Sequence, residues 1–241
     1  PAGSHLFTIN EDSPKLETKK QEIFHSLVMK LLWVTKRGRL DLELTMSFLC
    51  TCVAEPTEQD WFKLKRALRF LYSTKDDDRI IGIDDITKLF TYIDASYAIH
   101  NDMRSHTGGL VTFGRGVIHS KASKQKLNTK SSTESEIVGV SDYLPYALWL
   151  GLFLEYQGYN LEENILKQDN ESSIKMETNG RNSCTGNSRH VKIRYFFTKD
   201  LVDKKEIQIE YCPIECILVD YNTKLLQGKL FHLFHSVISI S

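Results

Sequence analysis

Four acidic residues lie where predicted strands end or predicted helices run, and their placement suggests metal chemistry. Asp94 and Asp169 each end a short run that is typical of a strand. Glu136 falls in the first turn of a long predicted helix, and Asp220 falls on a predicted helix after the last strand. Adjacent strand ends in one sheet bring their side chains together, and carboxylate oxygens are ligands that Mg²⁺ prefers. The pattern predicts carboxylates that converge on divalent cations.

Each of these acids also has a purely structural interpretation. Glu136 has the position of the third residue of a capping box with Thr133. Asp169 has the position of a cap for the next predicted helix, Asp94 suits a turn, and Asp220 suits a solvated surface. The occurrence of all four in this order favours a metal site over four separate structural roles.

A basic tract leads into the helix that carries Glu136, and it predicts contacts with a phosphate backbone. The chain has no Asp or Glu between Asp102 and Glu134, and a second acid-free window covers residues 179–199. The nucleic-acid-binding candidates in the two windows are Arg104, Lys121, Lys124, Lys126, Lys130, Arg189, His190, Lys192 and Arg194. Lys plus Arg equals Asp plus Glu at 31 each, so this prediction depends on local clustering and not on net charge. Solvated basic surfaces are the alternative.

The cysteines and the apolar runs favour a chain that works inside the cell, in the cytoplasm or the nucleus. The five cysteines are odd in number and lack the spacing of a disulfide framework, which indicates free thiols. Cys50 with Cys52 and Cys212 with Cys216 have spacings that zinc sites seldom use. No apolar run reaches the roughly 18–20 residues of a membrane span. We therefore expect neither zinc nor a membrane partner.

Three regions are predicted along the chain. Residues 1–19 open with Pro-Ala-Gly-Ser-His and are expected to be a tag remnant and flexible tail. Residues 20–75 carry apolar stripes at helical spacing and predict a helical connection domain of three helices. Residues 86–238 predict a second domain, beyond an acidic linker at residues 75–79.

The second domain has the element order of an α/β protein. Its predicted strands cover residues 88–94, 107–114, 116–121, 164–169 and 206–211. Its predicted helices cover residues 133–157, 170–178, 189–204, 215–223 and 227–238. The first three strands are close in sequence and predict an antiparallel meander, whereas the strand–helix–strand connections predict parallel crossovers. The expected fold is a five-stranded mixed sheet flanked by helices and preceded by a small helical domain.

Six segments of this domain carry a family resemblance. They are T-Y-I-D-A-S-Y (91–97), S-H-T-G-G (105–109), K-Q-K-L-N-T-K-S-S-T-E-S-E (124–136), Q-D-N-E-S (168–172), S-R-H-V-K-I-R-Y-F-F (188–197) and V-D-Y-N-T-K-L-L-Q-G (219–228). In this order they resemble the ribonuclease H region of a copia-type LTR retrotransposon polyprotein. Residues 24–33 and 55–71 resemble the segment that joins reverse transcriptase to ribonuclease H in these elements. The polymerase signature Tyr-x-Asp-Asp is absent from the sequence.

The resemblance implies a ribonuclease H-like fold and a metal-dependent endonuclease that cuts the RNA strand of an RNA/DNA hybrid. It implies that Asp94, Glu136, Asp169 and Asp220 are the catalytic carboxylates and hold two Mg²⁺ ions about 4 Å apart, with Mn²⁺ as a substitute. Glu136, and not the nearby Glu134, takes the family's catalytic position. The reverse transcriptase portion of the same polyprotein is an implied partner.

Some residues depart from the family pattern. Val219 precedes the last acid where the family has Ala, and Leu225 follows Lys224 where the family has Pro. They concern the last helix more than the proposed metal site. Two alternatives to an active ribonuclease H stay open. One is a catalytically inactive, domesticated ribonuclease H fold that binds nucleic acid or protein. The other is an integrase- or resolvase-like nuclease, which the acid order fits poorly.

Overall fold

A five-stranded mixed sheet forms the framework of the C-terminal part of the chain. The computed structural model describes residues 2–180 and 189–239, without the side chains of residues 189–192 and 239. The strands are β1 Lys88–Ser96, β2 His106–Thr112, β3 His119–Lys124, β4 Glu163–Gln168 and β5 Gln208–Tyr211, in the order β3-β2-β1-β4-β5. β2 is antiparallel to β1 and β3, whereas β4 is parallel to β1 and β5. The predicted ribonuclease H-like fold class is confirmed.

The hairpin between β2 and β3 is longer than predicted. Gly114 and Gly116 both have positive φ, so the turn occupies the residues that we assigned to the start of the third strand. A Cβ atom on Gly116 would lie 2.4 Å from the carbonyl oxygen of Ile80, which leaves room only for glycine. β3 therefore begins at His119 and not at residue 116.

Helices cover both faces of the sheet. These helices are α4 Ser132–Tyr156, α5 Glu171–Asn179, α6 Arg189–Asp203, α7 Asp220–Thr223 and α8 Gly228–Ser239. Val111 of β2 packs in the core beside α4, while its neighbour Leu110 packs with Phe234 of α8. Because successive strand residues point to opposite faces, α4 and α8 lie on opposite sides of the sheet. The predicted helix at 215–223 is instead a 3-10 turn at Ile214–Cys216 followed by α7.

α4 is the one helix among the described residues whose length and apolar composition would suit a membrane span. The expectation that no stretch meets this test is therefore wrong. α4 also packs against β1 and β2, and buries Ile137, Val140 and Leu144 in the sheet core. A core helix has the same composition, because nearly all of its packed face is apolar.

A helical unit precedes the sheet. It contains α1 Thr18–Arg37, a 3-10 turn at Leu40–Leu42, α2 Glu43–Thr51 and α3 Glu58–Ser73. α3 begins at a capping box in which Thr57 accepts from the Asp60 N–H and Asp60 accepts from the Thr57 N–H. The core of this unit contains Phe24 and Leu64. The division at residues 20–75 and 86–238 stays a prediction.

The segment before α1 is not a free tail, and that expectation is wrong. Leu6, Phe7 and Leu16 are buried in the core of the helical unit. Lys15 forms an isolated bridge with Thr57, which fixes this segment beside the start of α3. Three apolar side chains have enough buried area to hold an otherwise polar segment in place.

Candidate metal centre

Asp94, Glu136 and Asp169 come together at one edge of the sheet. One ligand oxygen from each lies within 4.8 Å of the others. Asp94 belongs to β1, and Asp169 directly follows β4. Tyr92 pairs with Lys167 in the parallel register of these strands, so Asp94 and Asp169 occupy equivalent positions two residues further on. The convergence predicted from the strand ends is present in the structure.

Glu136 reaches this site from the start of α4 because another pair of residues caps the helix. Ser131 is the N-cap residue, and its side chain accepts a hydrogen bond from the Glu134 N–H. The Glu134 carboxylate accepts in turn from the Lys130 N–H at 2.8 Å. Glu136 therefore has no capping task, and it accepts a hydrogen bond from the backbone of Ala95 on β1. This placement removes the structural alternative for Glu136.

The structural alternative for Asp169 is removed in the same way. Asn170 is itself the N-cap residue of α5, and its side chain accepts a hydrogen bond from the Ser173 N–H at 3.0 Å. The half-buried Asp169 is thus left to face Asp94 and Glu136. At both helix starts, therefore, one side chain caps the helix and a neighbouring carboxylate joins the acidic cluster.

Asp220 approaches the three acids from α7. It is buried, and it lies close enough to Asp94 and Asp169 for their charges to affect its pKa. The ammonium of Lys224 lies 2.7 Å from its Oδ1 atom and 2.8 Å from its Oδ2 atom. The structural alternative of a solvated surface position is therefore wrong for Asp220.

The pKa values of three carboxyl groups in this cluster are raised. Burial, followed by the charges of Asp94 and Asp169, raises the pKa of Glu136 well above its ordinary value. Burial and Asp94 raise the pKa of Asp169, against a smaller opposite effect of Lys224. Burial is also the main cause that raises the pKa of Asp220 to about 6. Crowded carboxylates of this kind suit a hard divalent cation, which favours their ionised form.

α7 is clamped to the sheet by contacts that the sequence did not reveal. The Asn222 side chain donates to Ser120 Oγ at 2.7 Å. Thr223 is fully buried, and its hydroxyl donates to the Asp94 carboxylate. Sequence reasoning missed Thr223 and Lys224 as site residues. The signal was their membership of the V-D-Y-N-T-K segment that also carries Asp220.

The basic tract runs from β3 towards the start of α4. Lys121, Lys126 and Lys130 are exposed along it. Its course is fixed by the buried Gln125, whose amide donates to Thr107 Oγ1 at 2.9 Å and to the Ser135 carbonyl at 2.8 Å. The exposed lysines of the tract therefore lie between β3 and the start of α4, the helix that carries Glu136.

Other predicted basic residues have acidic partners. Lys124 and Arg104 share Asp102, at 2.7 Å and 3.4 Å. Arg194 pairs with Asp142 of α4 at 2.6 Å. The side chains of Arg189, His190 and Lys192 lie outside the described residues, so their predicted contacts with nucleic acid stay predictions.

Comparison with known proteins agrees with the motifs. The chain is 24% identical over 245 residues to a retrovirus-related Pol polyprotein of a Nicotiana tabacum transposon, an alignment that covers the whole chain. Its relatives therefore include retrotransposon Pol polyproteins. The chain spans 18% of the length of that relative. It is also 32% identical over 124 residues to a secreted RxLR effector protein of Plasmopara viticola, covering 51% of this chain and 85% of the effector.

Comparison with solved structures gives a more distant likeness. The N-terminal RNase H domain of a Mycobacterium tuberculosis protein superposes with a TM-score of 0.41 at 12% identity, covering 62% of this chain and 96% of the solved one. No family model matches this chain. The ribonuclease H-like assignment therefore rests on the strand order, the strand directions and the helix placement described above.

Proposed function

We propose that this chain is the ribonuclease H region of a copia-type polyprotein, or of a gene derived from one, and cuts the RNA strand of RNA/DNA hybrids. The observation that carries the proposal is the meeting of Asp94, Glu136 and Asp169 within 4.8 Å, with the buried Asp220 beside them. A site of four carboxylates has the donor set of an enzyme that hydrolyses phosphodiesters with divalent cations.

The proposed cofactor is Mg²⁺, as two ions, with Mn²⁺ as a substitute. Bound at these carboxylates, the ions would supply neutralisation of phosphate charge and activation of water. The chain's own contribution is to hold the carboxylates still before any ion arrives. Thr223 orients Asp94 by a hydrogen bond, and the Ala95 backbone does the same for Glu136. Because β1, β4 and α4 are parts of the sheet core and α7 is clamped to the sheet, the four side chains need little rearrangement.

The proposed substrate-binding surface is the basic tract that starts on β3. Its exposed lysines would bind phosphates of the hybrid, while the carboxylates face the strand that is cut. Binding should therefore weaken steeply as salt concentration rises. The reverse transcriptase portion of the same polyprotein is a proposed partner, and the cell interior is the proposed location.

The proposal is tested with a hybrid whose RNA strand is labelled, in Mg²⁺ at low salt. The chain is expected to shorten the RNA strand, and to leave the DNA strand and duplex DNA intact. Asp94→Asn and Asp169→Asn should each lower the cleavage rate by more than about 100-fold, because a direct ligand should exceed the 10–100-fold effect of outer partners. The folded state should survive, since each change removes one charge from a crowded acidic cluster.

Glu155→Gln is the matched control, because Glu155 is an exposed acid at the far end of α4. It should cleave as the parent chain does. Absence of cleavage by the parent chain in both Mg²⁺ and Mn²⁺ contradicts the proposed activity. If such a chain still binds the hybrid, the alternative of an inactive, domesticated binding module is correct.

A further inference from the structure

Among the described residues, Lys224 places a cation against the acidic cluster. Its ammonium lies 2.7 Å and 2.8 Å from the two oxygens of Asp220, and it also interacts electrostatically with Asp94 and Asp169. Its side chain is only 39% exposed, and that of its partner Asp220 is 3% exposed. A lysine in this position neutralises part of the charge that divalent cations would neutralise.

The backbone fixes Lys224 in this position. Its own N–H donates to the Asp220 carbonyl at 2.8 Å, which ends α7 at Thr223. α7 is held on the sheet by Asn222, and Thr223 lies against β2. The backbone between Asp220 and Lys224 is therefore clamped, and it holds the Lys224 side chain beside the acid.

Two other pairs in the chain show what an ordinary pair of this spacing looks like. Lys199 with Asp203, on α6, and Lys204 with Asp200, at its C-terminal end, are also four residues apart. Both acids are 59% exposed, far from the 3% of Asp220. An exposed ion pair contributes little to the free energy of unfolding, whereas a buried acid loses stability when its cationic partner is removed.

We propose that Lys224 is a positioning residue of the metal centre that acts as an internal counter-ion. It holds Asp220 in the cluster while divalent cations are absent, and it competes with them for the same carboxylates. This inference rests on the proposed function, because it takes the cluster to be a cation site. As a consequence, Lys224 orders the site when no metal is bound. The site also binds metal less tightly than the same four carboxylates would without this lysine.

The test measures Mn²⁺ binding by calorimetry, without nucleic acid, together with thermal unfolding in a chelator. Lys224→Met keeps the length of the side chain and removes its charge. It should bind Mn²⁺ at least about tenfold more tightly, because a like charge next to the site is gone. The same variant should unfold at a lower temperature in chelator, and Mn²⁺ should raise its Tm more than that of the parent chain. Lys224→Arg should restore parent behaviour in both measurements.

Lys204→Met is the matched control, and neither its Mn²⁺ affinity nor its Tm should change. Unchanged or weaker Mn²⁺ binding by Lys224→Met overturns the inference, even if its Tm falls. A parent chain that binds no Mn²⁺ also overturns it. If the Lys224 effect is seen but the hybrid is not cut, the counter-ion role stands and the proposed nuclease activity fails.

Discussion

At the scale of single residues, Glu177 of α5 is a buried acid that the metal centre does not use directly. It is fully buried, and its carboxylate accepts a hydrogen bond from Ser173 Oγ at 3.4 Å. Burial raises the pKa of Glu177 from 4.5 to about 8, against smaller opposite effects of Ser173 and Gln168. The charge of Glu177 also raises the pKa of Glu136. A protonated, neutral Glu177 therefore favours ionisation of the acidic cluster.

The raised pKa of Glu177 predicts a stability that falls as pH rises. Between pH 4.5 and about 8 the folded chain keeps this proton and the unfolded chain has lost it. Since the unfolded state binds fewer protons, the free energy of unfolding decreases with pH in this window, by up to about 1.4 kcal/mol per unit. Glu177→Gln should flatten this slope, as measured by denaturant unfolding from pH 5 to 9. The exposed Glu171→Gln should keep the parent slope, and parallel curves for Glu177→Gln would refute the prediction.

At the scale of elements, the short helix α7 depends on a strand that has no side chain at the point of contact. A Cβ atom on Gly108 of β2 would lie 2.7 Å from Thr223 Cγ2 and 2.9 Å from Asn222 Cβ. Gly108 also pairs with Asp94 across β1 and β2. The glycine therefore lets α7 approach close enough to deliver Asp220 and Thr223 to the acids of the sheet.

Gly108→Ala should push α7 away from the sheet. The clash should cost about 1–3 kcal/mol of stability. Loss of the Thr223 hydrogen bond should lower hybrid cleavage by about 10–100-fold, the range for partners that orient a metal ligand. Gly38→Ala is the control, since no heavy atom of the described residues beyond its local neighbours lies within 4 Å of its Cβ position. Normal cleavage by Gly108→Ala would show that α7 is dispensable for the site.

At the scale of the whole molecule, the helical unit covers an edge of the sheet. β3 is a terminal strand, and the buried Glu43 of α2 accepts a hydrogen bond from the Ala122 N–H of β3 at 3.0 Å. Lys36 of α1 pairs with the same carboxylate. This contact satisfies a backbone donor that an exposed edge would leave available for another chain.

Glu43→Ala should destabilise both parts of the chain together. The substitution leaves the buried Ala122 N–H without its acceptor, which costs about 1–3 kcal/mol. Tryptophan fluorescence, which reports on residues 33, 61 and 149, and far-ultraviolet circular dichroism should show one coincident transition, shifted to lower denaturant. Glu55→Ala removes an acid that is 71% exposed in its pair with Lys15, and it should change stability by less than about 1 kcal/mol. Two separate transitions in the parent chain would instead support independent domains at 20–75 and 86–238.

The sequence alone determined most of the strands and helices and which acids stand at their ends, but not the start of β3 or the 3-10 turn before α7. Both are local properties, because the spacing of apolar residues and the identity of the residue after a strand involve only a few neighbouring positions of the sequence. The motifs added that Asp94, Glu136, Asp169 and Asp220 belong to one site. The mixed sheet followed from the lengths of the connections between strands.

Only the tertiary structure decided which nearby side chain takes which task. It assigned the cap of α4 to Ser131 and Glu134, and left Glu136 for the cluster. It also placed Thr223 on Asp94, 129 residues away in the chain, and Lys224 among the acids. Contacts across such separations depend on how elements pack and which rotamers the packing allows, and no local pattern of residues encodes that geometry.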